Sequence, residues 1–255
     1  MHSSEITSTI DKKLFEEARQ KMTGLEKGLH GIGTLQEKTI HSVLKYYYAP
    51  NPVYHEQKIA SYVADICVDG EIFEIQTRNF NTMRGKLNTF LPDYDVTIIY
   101  PIAATKWIQW IDMDTGELSP KRKSPKKGTV YQIIPELYRI RMFLNHPNLH
   151  FILSFLEVEE HKYLNGWSRD KKHGATRADG FPVDIQKEIY ISSIEDYRVF
   201  IPQNLPEHFS SKDFSKTARI PLHYAQKTLL LLHDFKLVER IDKKGNLYIY
   251  KQAGQ

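Results

Sequence analysis

Two acidic residues facing each other across a tight turn carry the most chemical information in this sequence. The segment YVADICVDGEIFEIQT alternates apolar and polar residues on both sides of Asp69-Gly70, a dipeptide that strongly favours a two-residue β-hairpin turn. With Asp69 and Gly70 in the loop, Val68 pairs with Glu71 and Asp65 falls opposite Glu74. Their Cβ atoms are then about 4.5–5.5 Å apart on one face, and Gln76 points to that face as well. Ala64, Ile66, Phe73 and Ile75 are expected to pack the other face into the core. Opposed carboxylates repel unless positive charge lies between them. A hard divalent cation supplies it: Mg²⁺, with Mn²⁺ as substitute, takes one or two carboxylates plus water and phosphate oxygens. The competing reading is a solvated pair of acids, each matched by a lysine.

The pattern Asp65, eight residues, then Glu74-Ile75-Gln76 resembles the PD-(D/E)xK nuclease superfamily, the restriction-endonuclease-like fold. The resemblance covers roughly residues 30 to 105. It implies that Asp65 and Glu74 bind Mg²⁺, with the Ile75 carbonyl as a further ligand, and that the reaction is phosphodiester hydrolysis with water as nucleophile. In that family a lysine two residues after the Glu positions or activates the water. Here the position is Gln76, which carries no charge but can orient water by hydrogen bonding. Lys86, on the next helix, is a candidate replacement, and Lys58, on the presumed first strand, is its rival. Glu37 is similar to the acidic residue on the first helix of Holliday-junction-resolvase-like members and is a candidate for holding a metal-bound water.

Several neighbours carry alternative explanations. Glu37 stands three residues after Thr34, so a capping box accounts for it equally well. His41 is its i, i+4 neighbour on one helical face, and packing or capping is the expected role. His55-Glu56 precedes the hairpin and offers a further acid without a pairing constraint. Arg78, Arg84 and Lys86 follow the acidic strand and are candidates for phosphate contacts, or else a solvated helix face. The loop KRKSPKKG places Lys121, Arg122, Lys123, Lys126 and Lys127 within eight residues, a charge density that seeks an anion or stays disordered.

The elements that must position these residues follow from periodicity. Residues 11 to 28 have helical spacing, and TLQEKTIHSVLKYYY forms a second helix. YHEQKIA is a first strand, followed by the hairpin. RNFNTMRGKLNTFL returns to helical period, VTIIYPI is a buried strand, and KWIQWIDM is a separate alternating one. Pro135 starts a helix, LHFILSFLEV is a strand, and the polar stretch 160–182 is a loop or mobile flap. The expected fold class is α/β (α+β): an αβββαβ core with a mixed sheet over residues 1–204, preceded by the N-terminal helix, and a second domain over 205–255.

That second domain resembles a winged helix-turn-helix. Ser210 caps a short helix with Asp213 in capping-box position, Arg219-Ile220 makes a tight turn, and Pro221 starts a longer helix. Two strands then flank Asp242-Lys243-Lys244-Gly245-Asn246. The resemblance implies that the second helix enters a DNA major groove while the hairpin touches the backbone. His223, Tyr224, Gln226 and Lys227 are the candidate groove-facing residues, Lys243 and Lys244 lie on the wing, and Lys216 and Arg219 are candidates to grip phosphates. The alternative is a module for protein contact.

Charge supports this division. Of 35 Lys+Arg and 31 Asp+Glu in 255 residues, the segment 205–255 holds nine basic and five acidic. The formal excess of +4 therefore belongs to the last fifth of the chain. A single cysteine, Cys67, excludes an intramolecular disulfide framework and a cysteine-rich zinc site. No apolar stretch approaches the ~20 residues of a membrane span, and the N-terminal residues lack a signal-peptide core. The expectation is an intracellular, cytoplasmic Mg²⁺-dependent deoxyribonuclease acting on duplex DNA, serving restriction, defence or repair, with homodimerisation possible. The alternatives are a non-catalytic DNA-binding regulator with a degenerate core and, third, an RNA nuclease.

Overall fold

The structure, a computed structural model, describes residues 10–26, 36–112, 115–164 and 175–254. Thr34 lies outside these residues, as does most of a second basic stretch of the sequence, SRDKKHGATR at 168–177. The fold is α+β, with a mixed multi-strand sheet and several helices. Two compact units are present, and they do not follow chain order. The first takes residues 1–77, 98–128 and 152–189, and the second takes 78–97, 129–151 and 190–255. The C-terminal segment thus shares its unit with two stretches from the middle of the chain.

In the first unit, helix α1 (Lys12–Glu26) starts where the Asp11 carboxylate accepts the Leu14 amide at 2.9 Å, satisfying an otherwise orphaned N–H. Its apolar side carries Phe15, which meets Tyr47 of α2 (Gln36–Tyr48) edge-on at 5.5 Å. Val43 and Leu44 on α2 have no exposed surface. Strands β1 (His55–Ile59), β2 (Tyr62–Val68) and β3 (Glu71–Ile75) form an antiparallel meander. They open a seven-stranded sheet ordered β1-β2-β3-β4-β6-β7, with β5 paired to β4. Here β4 is Asp95–Asp112, β5 Arg122–Lys123, β6 Leu149–Leu164 and β7 Ala175–Ile191.

Two expectations are corrected. VTIIYPI and KWIQWIDM are one continuous strand, β4, running through Pro101. The flap expected over 160–182 is strand wherever it is described, because β6 extends to Leu164 and β7 begins at Ala175. Its polar composition misled: β7 ends the strand order of the sheet, where polar side chains and Pro182 are tolerated. Gly128 closes the basic loop tightly on β4, since a Cβ there would sit 2.6 Å from the Ala103 carbonyl oxygen.

The second unit contains α3 (Arg84–Phe90) and α4 (Ile134–Arg139). Phe80, Met83, Leu87, Phe90 and Leu91, the apolar residues of the segment with helical period, are all buried. Next come β8 (Phe209–Ser210), α5 (Ser211–Ala218), α6 (Leu222–Asp234), β9 (Val238–Lys244) and β10 (Leu247–Gln252). The last three strands form an antiparallel sheet ordered β8-β10-β9. Ser210 is the N-cap of α5 and shares a capping box with Asp213, whose pKa is lowered by the Ser210 backbone and hydroxyl bonds. Phe209, Phe214, Ala225, Leu229, Leu232 and Val238 fill the core between these elements. No helix among the described residues is long and apolar enough to cross a membrane.

Candidate active site

The hairpin register follows the Asp69-Gly70 turn: Val68 pairs with Glu71, Cys67 with Ile72 and Ile66 with Phe73. Asp69 and Gly70 both have positive φ, 51° and 85°, as a type I′ turn requires. The ladder runs to the Ile66–Phe73 pair, and Asp65 and Glu74 are the next residues along the two strands. Beyond the Ile66–Phe73 pair the Asp65 carboxylate enters the ladder, accepting the Ile75 amide on Oδ2 at 2.9 Å. Ala64, Ile66 and Ile75 are buried as expected, and half-buried Phe73 stacks on Tyr48 at 6.4 Å. Glu74 has no exposed surface, and the Asp65 side chain is 19% exposed. The backbone N–H of Gln76 donates to the Ile99 carbonyl at 2.9 Å, tying the end of β3 to β4.

Helix α2 reaches this strand face. His41 Nε2 lies 3.0 Å from Asp65 Oδ2, so the histidine expected only to pack or cap meets the first acid of the pattern. One turn on, Lys45 Nζ is 3.0 Å from Glu56 Oε1 on β1. The pairs His55–Ile66 and Gln57–Ala64 place Glu56 across from Asp65. Glu56, Asp65 and Glu74 therefore stand in a row across three adjacent strands. The Lys45 ammonium, through its hydrogen bond and charge, holds the Glu56 carboxyl below its ordinary range, while the Asp65 charge pushes the other way. A third residue of the helix, Tyr48, joins a buried polar cluster. Its hydroxyl lies 2.6 Å from Ser154 Oγ on β6 and donates to Glu188 on β7.

Lys45, Tyr48, Ser154 and Glu188 escaped the sequence reading. A signal existed for the helix: residues 41, 45 and 48 recur at helical spacing, which puts them on one side. For Ser154 and Glu188, distant strands had to be ordered first. Glu37 lies on α2, but its side chain is outside the described residues. Lys58 is exposed on β1. Lys86, Arg78 and Arg84 fall in the second unit, whereas Asp65 and Glu74 fall in the first. The Arg84 guanidinium is spent on the Arg139 carbonyl, at 2.9 Å through Nε.

The donor set fits a hard cation: two carboxylates, a strand carbonyl and an amide, all oxygen. Among the described residues no group of three or more His, Cys, Asp or Glu is arranged to hold a metal. That is compatible with Mg²⁺, which keeps several waters.

The basic loop is partly neutralised. Lys121 pairs with Glu159, and Lys123 Nζ lies 5.5 Å from the centre of the Trp107 ring. Arg122 and Lys123 form β5, while Lys126 and Lys127 are exposed.

In the second unit His223 and Gln226 are exposed on the first turns of α6, and Tyr224 and Lys227 are half-buried. Lys227 Nζ lies 5.8 Å from the Tyr138 ring. Arg219 ends α5 in a left-handed conformation, φ 53°, and it and Lys216 are exposed. Lys243 and Lys244 are exposed beside Gly245, whose φ is 61°. Arg240 lies 4.3 Å from the Tyr248 ring centre, an aromatic–cation pair that the sequence reading did not pick out.

A family model described as a domain of unknown function, DUF8091, matches residues 38–192. That span takes in β1 to β3 and both acids. A Treponema pallidum (strain Nichols) protein described as "Uncharacterized protein" is 27% identical over 229 residues, covering 87% of each chain. No solved structure matches.

Proposed function

We propose that this chain, which belongs to the DUF8091 family, is a metal-dependent DNA endonuclease whose C-terminal segment anchors duplex DNA. The observation that carries the reading is the Asp65–Glu74 juxtaposition on adjacent strands, with Glu74 fully buried. A buried carboxylate beside another carboxylate favours positive charge close by, and a divalent cation supplies it. Asp65 and Glu74 would hold Mg²⁺, with the Ile75 carbonyl as a further donor. When bound, the ion supplies charge for the phosphoryl oxygens and acidifies water for attack at neutral pH.

The chain's own groups then have separate tasks. The Ile75 amide fixes the rotamer of Asp65, and His41 braces the same oxygen. The Gln76 amide is suited to orienting water, because it both donates and accepts. The C-terminal order of capped helix, left-handed turn, longer helix and basic-tipped hairpin supports the winged helix-turn-helix reading. His223, Gln226 and Lys227 would face the groove, with Lys243 and Lys244 on phosphates. Covalent linkage raises the local concentration of the cutting site on bound DNA.

Plasmid and linear duplex incubated with the protein in Mg²⁺ or Mn²⁺ test this. Cleavage is expected, and chelation with EDTA or the change Asp65→Ala or Glu74→Ala should abolish it. Absence of cleavage by the unaltered protein contradicts the reading.

One observation favours a second reading, a non-catalytic DNA-binding regulator. Asp65 Oδ2 is already engaged by the Ile75 amide and His41, and the motif lysine is Gln76. That protein would bind duplex DNA in a salt-dependent way, cut nothing, and gain no thermal stability from Mg²⁺.

A further inference from the structure

Resting on the nuclease reading, we propose that Lys45 is the cation that meets the substrate phosphate at the acidic strands, delivered from helix α2 rather than from the strand position of Gln76. Lysine is seldom buried, and an ammonium withdrawn from water needs anions at matching depth. Lys45 is 8% exposed, yet the side chain of its ion-pair partner among the described residues, Glu56, is 72% exposed. A carboxylate solvated on most sides is a weak reason to hold a lysine inside.

The strand face supplies a stronger reason. Glu56, Asp65 and Glu74 succeed one another across β1, β2 and β3, at cross-strand spacings of roughly 4.5–5.5 Å. A phosphodiester approaching three carboxylates is repelled unless cations line its path. Helix geometry sets Lys45 one turn from His41. His41 reaches Asp65 while Lys45 reaches Glu56, so the two side chains bracket the first two acids. The Glu56 backbone is left-handed within its strand, φ 52°, a strained conformation for glutamate.

The lysine suggested on the first strand is less well placed. Lys58 is exposed and pairs across from Val63. Lysine suits the task because its ammonium is a compact charge with three rotatable donors. It can transfer from Glu56, which water then solvates, to a non-bridging phosphate oxygen. Lys45 thereby neutralises and positions the phosphate and forms no covalent bond.

Two measurements test the assignment. In the full chain with Mg²⁺, Lys45→Met should lower cleavage by at least ~100-fold, while Lys45→Arg, which keeps the charge, retains at least a tenth of it. Separately, duplex affinity is titrated against salt in the Asp65→Ala background, where DNA is not cut. Adding Lys45→Met should reduce the slope of log affinity on log salt by about one, the signature of one lost phosphate contact. Melting temperatures confine the comparison to folded proteins, and Lys45→Gln replaces the methionine variant should that fail to fold. Cleavage by the uncharged variant within about threefold of the unaltered protein, or an unchanged salt slope, overturns the assignment. If the unaltered protein cuts nothing, the nuclease reading fails while the salt slope still reports on Lys45.

Discussion

The acidic strands of the first unit and the capped helices of the second are encoded in different ways. The C-terminal module is built from neighbours. Ser210 caps its own helix with Asp213, Arg219 turns it, and Pro221 starts the next, all within twelve residues. The acidic site is built from strangers: Glu56, Asp65 and Glu74 come from three strands, and His41 and Lys45 come from a helix before them. Local encoding makes a module robust to single changes at its surface. Assembly from several elements makes a site whose chemistry fails when one member is removed, with little effect on the chain around it.

Substitutions at the two places separate these behaviours. The largest effect is expected at Asp65: Asp65→Ala should reduce DNA cleavage by roughly 10³-fold or more, the several kcal/mol that metal-centred charge stabilisation supplies. Duplex affinity at fixed salt should stay within a few-fold, because phosphate contacts elsewhere set it. Next comes Phe214→Ala in the core of the C-terminal module, where Phe214 has no exposed surface. Truncation there should destabilise by about 3–5 kcal/mol, read as a lower melting temperature with loss of DNA binding.

Smaller effects follow at the module's surface. Lys243→Ala with Lys244→Ala should weaken duplex binding and reduce the salt slope by about two, independently of DNA sequence. Ser210→Ala should cost about 1 kcal/mol through the lost cap, measured by denaturant titration. Smallest is a pH effect. The Asp213 carboxyl is held low by its bonds from Ser210, so its stabilising contribution is complete above the unfolded value of about 3.9 and is lost as pH falls through the folded value. Asp213→Asn should therefore flatten the fall in melting temperature between pH 5 and pH 3.

The parts legible in the sequence were those governed by neighbours. Asp69-Gly70 fixed the register that opposes Asp65 and Glu74, because a two-residue turn leaves no freedom of pairing. Ser210 and Asp213 announced a capping box for the same local reason. What escaped depended on tertiary placement. Nothing local marks Lys45, which gains its partner only because β1 brings Glu56 to it. The polar run ending β6 and starting β7 read as loop, because local composition does not carry the cross-strand pairing that makes it strand. Arg84 looked available to a phosphate until α4 presented the Arg139 carbonyl to it.

The claim on which the rest depends is that Asp65 and Glu74 share a divalent cation. Crystals of the full chain soaked in Mn²⁺ and measured at the manganese absorption edge test it directly. The account predicts an anomalous peak between the two carboxylates, about 2.0–2.2 Å from an oxygen of each, that disappears in Asp65→Ala crystals. Crystals with no peak there at saturating Mn²⁺ would contradict it.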